Sequence, residues 1–390
     1  MHDALRVTLA TLQTGMWLAM ERLGEKVRPW NDTPRSIARL TPAWLTSVLQ
    51  TDFPGIRVAA AEPVDQHRGT TDRARFALSY RDAGRGNPPP PRIFCKLAPV
   101  SLGTRLFVNL MRLGTTEIRC YQEVLPEAPI ETPRCYHSST AGLAQRFALI
   151  MEDLTEREVR FADVSSRLAA DDARLVVDQL ARLHARFWES PRLRTDLAWL
   201  KSYAHNEIWP LERFVSAIGI RQGLRRFPEL VPEELHETAG QIIAGRDRLE
   251  SAWACGPQTI IHGDAHVGNM YFPRNTVGFL DWQCVQRGQG MRDVTYFLIN
   301  SVPTEVRREH QGALIEHYLA SLAEQGVAGP SPDKAWEQYR LHAFYPWISS
   351  VFTAAMSNLQ AAPIARAGVA RSSAALIELD SLAALKTLTP

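Results

Sequence analysis

The sequence predicts an α+β protein, with a small sheet-rich N-terminal part followed by a larger, mainly helical C-terminal part. Three observations predict it. Strand-like segments are concentrated early, at Arg75–Tyr80, Arg92–Leu97 and Phe147–Met151. From Asp171 onward the apolar spacing is mostly helical. The one interruption of that helical run is Thr259–Trp282, which reads as two short strands around a turn. The change of character falls near residue 154, which divides the chain into 1–154 and 155–390.

Taken in order, residues 1–50 read as helical, and Thr41 before Pro42 is an N-cap followed by proline at the first helical position, opening Pro42–Leu49. Arg75–Tyr80 and Arg92–Leu97 form a hairpin joined by the glycine- and proline-rich run Gly84–Pro91. Leu102–Leu113 has apolar residues at 102, 106, 110 and 113, a helical spacing, and Thr116–Leu125 is a second short helix stopped by Pro126. Phe147–Met151 is an apolar strand that runs into Glu152 and Asp153. Within Thr259–Trp282, two short strands flank a turn at Pro273–Thr276.

Bulk properties exclude several classes. The 390 residues carry a net charge of only +2, which asks for neither nucleic acid nor an anionic membrane as partner. The five cysteines are scattered and never spaced as C-x-x-C, so neither a disulfide framework nor a zinc site is expected. Asp3 and Arg6 interrupt any signal-peptide pattern, and no apolar run is long enough for a transmembrane helix. The expectation is a cytoplasmic protein without integral membrane association. Of the 44 basic residues only five are lysine. A lysine inside an apolar strand, Lys96, therefore asks for a chemical explanation.

The strongest signal is His262-Gly263-Asp264-Ala265-His266-Val267-Gly268-Asn269, followed by Phe279-Leu280-Asp281-Trp282. Phosphoryl transfer needs a carboxylate beside the attacking hydroxyl and oxygen ligands for the Mg²⁺ that bridges the phosphates. Asp264 and Asn269 stand five apart, as do the aspartate and asparagine of the protein-kinase H-R-D-x-x-x-x-N loop. Asp281 ends an apolar strand, Val277–Leu280, and the turn between the strands brings it back toward that loop. A lone aspartate here would read as a helix cap; the whole constellation does not.

These residues resemble the aminoglycoside phosphotransferase and choline kinase superfamily, and more narrowly its ecdysteroid-kinase-like branch, whose H-G-D-x-H-x-x-N and D-W-Q are matched by 262–269 and Asp281-Trp282-Gln283. The resemblance runs from about residue 40 to 350. It implies a bilobal protein-kinase-like fold, a nucleotide-binding N-lobe (1–154) and a C-lobe (155–390) with catalytic loop and acceptor site. It implies ATP and Mg²⁺ as cofactors, Asp264 as catalytic base, His262 as a structural member of the loop, and Asn269 and Asp281 as metal ligands. Lys96 resembles the lysine that holds the α/β-phosphates. Glu117 is the first choice for its partner and Glu123 the second. Gly69, Thr70 and Thr71 stand where a phosphate-covering loop belongs. The backbone of Glu152, Asp153 and Leu154 resembles the adenine-binding hinge. His184, in a segment like the branch's L-H-A-x-F-W helix, and Asp293 read as structural. His266 reads either as a loop brace or as a neighbour of the phosphates.

The acceptor is expected to be a small-molecule hydroxyl, apolar or steroid-like, with Trp199, Tyr203, Trp209, Tyr345, Trp347 and Phe352 as candidate wall residues, most of which read better as core. A cationic acceptor would instead need acidic groups or an aromatic cage. Two rivals stand beside this reading. A protein Ser/Thr kinase is disfavoured because no D-F-G to A-P-E segment follows Asp281. A non-catalytic ATP-binding protein is disfavoured because Lys96, Asp264, Asn269 and Asp281 all occur together.

Overall fold

The computed structural model describes residues 2–24, 33–84, 86–204, 209–356 and 360–388. The Trp209 side chain lies outside the described residues. The chain divides into two units, Met1–Glu127 with Thr132–Val159, and Ala128–Glu131 with Arg160–Pro390. As expected, the class is α+β: one antiparallel sheet in the first unit, mostly helix in the second.

The first unit holds helices α1 (His2–Gly24) and α2 (Pro42–Leu49), then strands β1 (Ile56–Arg68), β2 (Asp72–Ala83) and β3 (Arg92–Leu97). Helices α3 (Leu102–Leu110) and α4 (Leu113–Glu123) follow, then strands β4 (Cys135–Ala141) and β5 (Arg146–Glu152). The sheet order is β1-β2-β3-β5-β4. Thr41 caps α2, its hydroxyl accepting from the Trp44 amide at 3.2 Å. Side-chain alternation sorts β3 into two faces. Ile93, Cys95 and Leu97 join the core cluster with Leu45 and Leu49 of α2. Lys96 therefore faces the other side of the sheet, where α4 lies. Gly114 allows that helix its close approach, since a Cβ there would fall 2.1 Å from the Phe147 ring on β5.

Two local expectations need correcting. The helix expected over 102–113 stops at Leu110, because Arg112 takes a left-handed φ of 55° and a new helix starts at Leu113. The sheet also has two strands not foreseen, β1 and β4, which form its edges. Neither carries a clean apolar alternation: β1 is mostly exposed beyond Val58, and β4 is half-buried except at the exposed Thr140.

The second unit begins with β6 (Arg160–Phe161) and helices α5 (Ala170–Phe187), α6 (Trp209–Arg226), α7 (Glu233–Ala244) and α8 (Arg246–Ala254). Next come β7 (Thr259–Ile261), β8 (Met270–Phe272), β9 (Gly278–Phe279) and β10 (Gln286–Gly288). Helices α9 (Met291–Ser301), α10 (Thr304–Glu324), α11 (Pro332–His342), α12 (Phe344–Ala355), α13 (Ala362–Glu378) and α14 (Ser381–Thr387) complete it. Every residue of α9 is buried, with α5 and α10 to α13 packed around it. The turn expected at 273–276 joins β8 to β9, which pair antiparallel. β7 is not part of that hairpin; it pairs with β10. No helix among the described residues is long and apolar enough to cross a membrane.

Candidate active site

In the first unit the polar centre is a buried ion pair. Lys96 Nζ lies 2.9 Å from Glu117 Oε1 and 2.7 Å from Oε2, with both side chains at most 5 % exposed. The choice between Glu117 and Glu123 follows from helix geometry. Glu117 lies on the buried side of α4, while Glu123 is occupied by Arg119 one turn back, at 2.8 and 2.9 Å. The turn from Gly69 to Thr71 joins β1 to β2 and is closed by the Gly69 amide on the Thr71 carbonyl at 3.1 Å. Gly69 is exposed and Thr70 half-buried, whereas Thr71 is buried, which takes its hydroxyl off the surface of the turn.

At the end of β5 the Glu152 amide donates to Arg134 at 2.9 Å, and its carboxylate accepts from the Arg134 amide and Arg157. The carbonyls of Asp153 and Leu154 accept from Glu156 and Arg157 at 3.1 Å each. The Asp153 side chain caps this turn through Thr155. The amides of Asp153 and Leu154 are the backbone donors of the segment that these bonds leave over.

In the second unit, β7 leads directly into 262–269. The loop is held from below by Asp293, in the first turn of α9. Its Oδ1 accepts from the Gly263 amide at 3.0 Å, and its Oδ2 accepts from the His262 amide and faces His184 Nε2 at 3.5 Å. Burial pushes the Asp293 pKa up, but the His184 hydrogen bond and the neighbouring His262 and Arg292 outweigh it. The net direction is below the usual carboxylate value. His184 is itself fixed, with Nδ1 2.9 Å from the Tyr318 hydroxyl and its carbonyl accepting from Thr259 at 2.6 Å.

His262 is buried and makes two contacts that define its tautomer. Nδ1 accepts from the Asp264 amide at 3.2 Å, so Nε2 carries the proton and donates to the Leu280 carbonyl at 2.8 Å. Burial, the largest influence, holds its pKa below the usual imidazole value despite nearby carboxylates. A neutral imidazole thus ties the residue before Asp281 to the start of the loop. Gly263, with φ 84°, cannot be replaced at this contact: a Cβ would sit 2.0 Å from the Cys284 carbonyl oxygen. Arg292, also buried, donates to the Gly263 carbonyl at 3.1 Å and to the Tyr203 hydroxyl at 2.9 Å, and lies 3.8 Å over the Tyr345 ring.

Asp264 follows this anchored pair and is partly exposed. Asn269 Nδ2 donates to its Oδ2 and to its carbonyl, both at 3.0 Å, which leaves Asn269 Oδ1 as the oxygen that accepts. His266 Nδ1 accepts from Gly268 at 3.0 Å, so His266 braces the loop's own turn; its Nε2 is 3.7 Å from Asp264, beyond a hydrogen bond. The Leu280 amide donates to the Asn269 carbonyl at 2.8 Å, extending the β8–β9 pairing by one residue and setting Asp281 beside the loop. Asp281 adopts a left-handed backbone, φ 59° and ψ 67°, a strained conformation of the kind that clusters at functional sites.

Asn269 Oδ1 and the Asp281 carboxylate are hard oxygen donors, the type Mg²⁺ takes in ones and twos while phosphate and water oxygens fill the rest of its shell. Among the described residues no group of three or more His, Cys, Asp or Glu could hold a metal ion. The residues present fit a phosphate-borne Mg²⁺.

Of the candidate wall residues, Trp347 belongs to the core, fully buried with Nε1 on Ser373 at 3.2 Å. Tyr203 is buried against Trp253, with ring centroids 4.9 Å apart, and Phe352 packs on Gly219 of α6. Tyr345 is half-buried near the loop, its hydroxyl 3.5 Å from the Gly263 carbonyl. Tyr296 of α9 was not foreseen. Its ring is 5.2 Å from Tyr345 and 6.4 Å from His266, and burial with the neighbouring Asp264 holds its hydroxyl protonated. Its helical spacing made it look like ordinary core.

A structure from Ralstonia eutropha, provisionally described as an aminoglycoside phosphotransferase, is similar over 89 % of this chain and 98 % of its own, at 13 % identity and a TM-score of 0.51. Choline kinase from Cryptosporidium parvum aligns over 87 % of this chain and 95 % of its own, at 13 % identity and a TM-score of 0.47. Amicoumacin kinase, solved with AMP-PNP and Ca²⁺, aligns over 85 % and 90 %, at 11 % identity and a TM-score of 0.47. At such identities a likeness concerns the fold, which the first of these supports as kinase-like. No protein of curated function matches in sequence. Residues 104–340, more than half of the chain, match one described family. The chain belongs to the phosphotransferase enzyme family.

Proposed function

We propose that this phosphotransferase is a cytoplasmic kinase that transfers the γ-phosphoryl group of ATP, with Mg²⁺, to a hydroxyl of a small molecule. One observation carries the reading: the Asn269 amide grips Asp264 with its nitrogen and so keeps Oδ1 for a cation, while His262 ties Leu280, the residue before Asp281, to the same loop. A carboxylate that accepts the amide donor and two oxygens suited to Mg²⁺ then belong to one hydrogen-bonded assembly.

In this proposal the acceptor oxygen attacks the γ-phosphorus and its proton passes to the Asp264 carboxylate. The bond from phosphorus to the β–γ bridging oxygen breaks, ADP leaves, and no phosphoenzyme forms. Asn269 and Asp281 would hold the Mg²⁺, which when bound neutralises phosphate charge. Residues 1–154 are assigned the nucleotide: Lys96, steadied by Glu117, its α/β-phosphates; Gly69 and Thr70 the cover over them; and the Asp153 and Leu154 amides the adenine. Residues 155–390 are assigned the catalytic loop and the acceptor.

The acceptor proposed is an apolar, steroid-like alcohol, as in the ecdysteroid-kinase-like branch suggested by Asp281-Trp282-Gln283. The half-buried Tyr345 beside Tyr296 supports an aromatic wall rather than an acidic one. The test is Mg²⁺-dependent ADP formation against a panel of steroids, aminoglycosides, choline and sugars. Turnover with an apolar alcohol, lost in Asp264→Asn, is expected. ADP formation that no acceptor stimulates, and that Asp264→Asn leaves unchanged, would overturn it.

A further inference from the structure

Helix α1 has two apolar faces, and its own unit covers only one. On the inner face Thr14 and Leu18 are buried, and Glu21 accepts from Arg105 at 3.0 Å and Arg146 at 2.9 Å, anchoring the helix to α3 and β5. On the outer face Leu5, Leu9, Leu12, Met16, Met20 and Leu23 are 54–68 % exposed. At about 100° per residue these six side chains span roughly 80° of the helix circumference, opposite Leu18. The exposed run Leu5, Leu9, Leu12, Met16, Ala19, Leu23 is separated alternately by four and three residues, the repeat of a coiled-coil seam and not that of a lone surface helix.

We propose that this seam is covered by the same seam of a second copy of the chain, α1 packing on α1 about a twofold axis. Three features select that occupant. A seam that repeats in fours and threes is complementary to itself. The positions flanking it are Arg6, Thr8, Gln13, Gly15, Met20 and Arg22, so that four of the six carry no charge against an identical face and the two arginines stand at its two ends. The area is sufficient: six side chains with roughly 100 Å² each to bury give about 600 Å² per copy, about 1,200 Å² in total, the lower limit for a stable specific interface. A bilayer surface is the less fitting occupant. Helices that lie in a membrane interface carry a strongly basic polar face, whereas the face opposite this stripe is packed into the protein and holds the Glu21 ion pairs.

The test is sedimentation equilibrium of the full chain across a dilution series, beside a Leu12→Glu/Met16→Glu variant. A reversible dimer is expected, with a dissociation constant raised roughly tenfold or more in the variant. As a second measurement that perturbs no seam charge, a photo-crosslinking amino acid at Leu12 should yield dimer-sized product whose crosslinked peptides both come from residues 2–24. A monomer at all concentrations, or a dimer indifferent to the substitutions, would overturn the proposal. So would a monomer that binds phosphatidylcholine–phosphatidylglycerol vesicles through these same residues.

Discussion

Asn269 turns its amide nitrogen onto Asp264, 3.0 Å from the carboxylate Oδ2. The two residues are thereby given different work, and their substitution should separate binding from chemistry. Asp264→Asn keeps the size of the side chain and removes the proposed base. We expect kcat to fall by about 10² or more with nucleotide affinity little changed. Asp281→Asn should do the reverse, weakening Mg-ATP binding by roughly tenfold or more. Asparagine is the right probe there because it tolerates the left-handed backbone of Asp281, whereas alanine would add about 1 kcal/mol of strain. Isothermal titration with a nonhydrolysable nucleotide, set beside initial rates, checks both; equal rates in wild type and Asp264→Asn would remove the base assignment.

The Lys96–Glu117 pair makes a stability prediction independent of activity. Both groups are buried, so removing one deprives the other of its opposite charge at 2.7 Å. Lys96→Met and Glu117→Leu should each cost about 3–5 kcal/mol. The double variant Lys96→Met/Glu117→Leu should recover much of that loss, because two apolar groups replace two charges, yet stay inactive. Denaturant unfolding gives the cycle. Additive losses would show that the pair is not coupled.

Gly263→Ala should be disproportionately damaging for so small a change. The new methyl would meet the Cys284 carbonyl oxygen at 2.0 Å, on a backbone with φ 84° that alanine resists. A loss of about 3 kcal/mol or more is expected, together with loss of turnover. A variant with wild-type unfolding would show that the turn can move.

His342 makes stability depend on pH. Its Nε2 lies 2.7 Å from Gln289 Oε1, whose own amide nitrogen is committed to the carbonyls of Ala252 and Cys255. Nε2 must therefore carry the proton, and Nδ1 is buried without a partner. Burial, reinforced by Arg292 and opposed by Asp293, holds its pKa well below the usual imidazole value. As pH falls through about 6.5 the unfolded chain takes up a proton that the folded chain refuses. The contribution is complete above that pH and drains away as pH falls toward the lowered folded value. His262 and His137 are shifted the same way by burial and add to it. His342→Leu should lose about 1 kcal/mol near pH 7.5 through the lost hydrogen bond, with the gap to wild type narrowing near pH 5.5. Melting curves at the two values decide it, and a constant gap would sink the assignment.

Much of the fold was legible where burial leaves a pattern. The central strands β3 and β5 are apolar enough to be read directly, and Lys96 stood out because its neighbours Ile93, Cys95 and Leu97 are core. The edge strands β1 and β4 were not legible, since an edge needs no apolar alternation and β1 even holds Pro63. The break at Arg112 was hidden because a left-handed turn by an arginine has no sequence signature. In the loop, the spacing of Asp264 and Asn269 was visible, but the direction of the Asn269 amide was not. Glu117 could be separated from Glu123 only once α4 had a buried side. Arg292 and Tyr296 escaped because a buried helix disguises polar groups as core.

Asp293 lies wholly inside α9 and receives two successive backbone amides of the loop. A loop suspended from an internal carboxylate has its shape before any ligand arrives, so little of an arriving ligand's binding energy is spent on arranging it. It also has a single shape to offer. Choice among possible acceptors must then fall to surfaces that take no part in the suspension, and those surfaces can change without disturbing the chemistry.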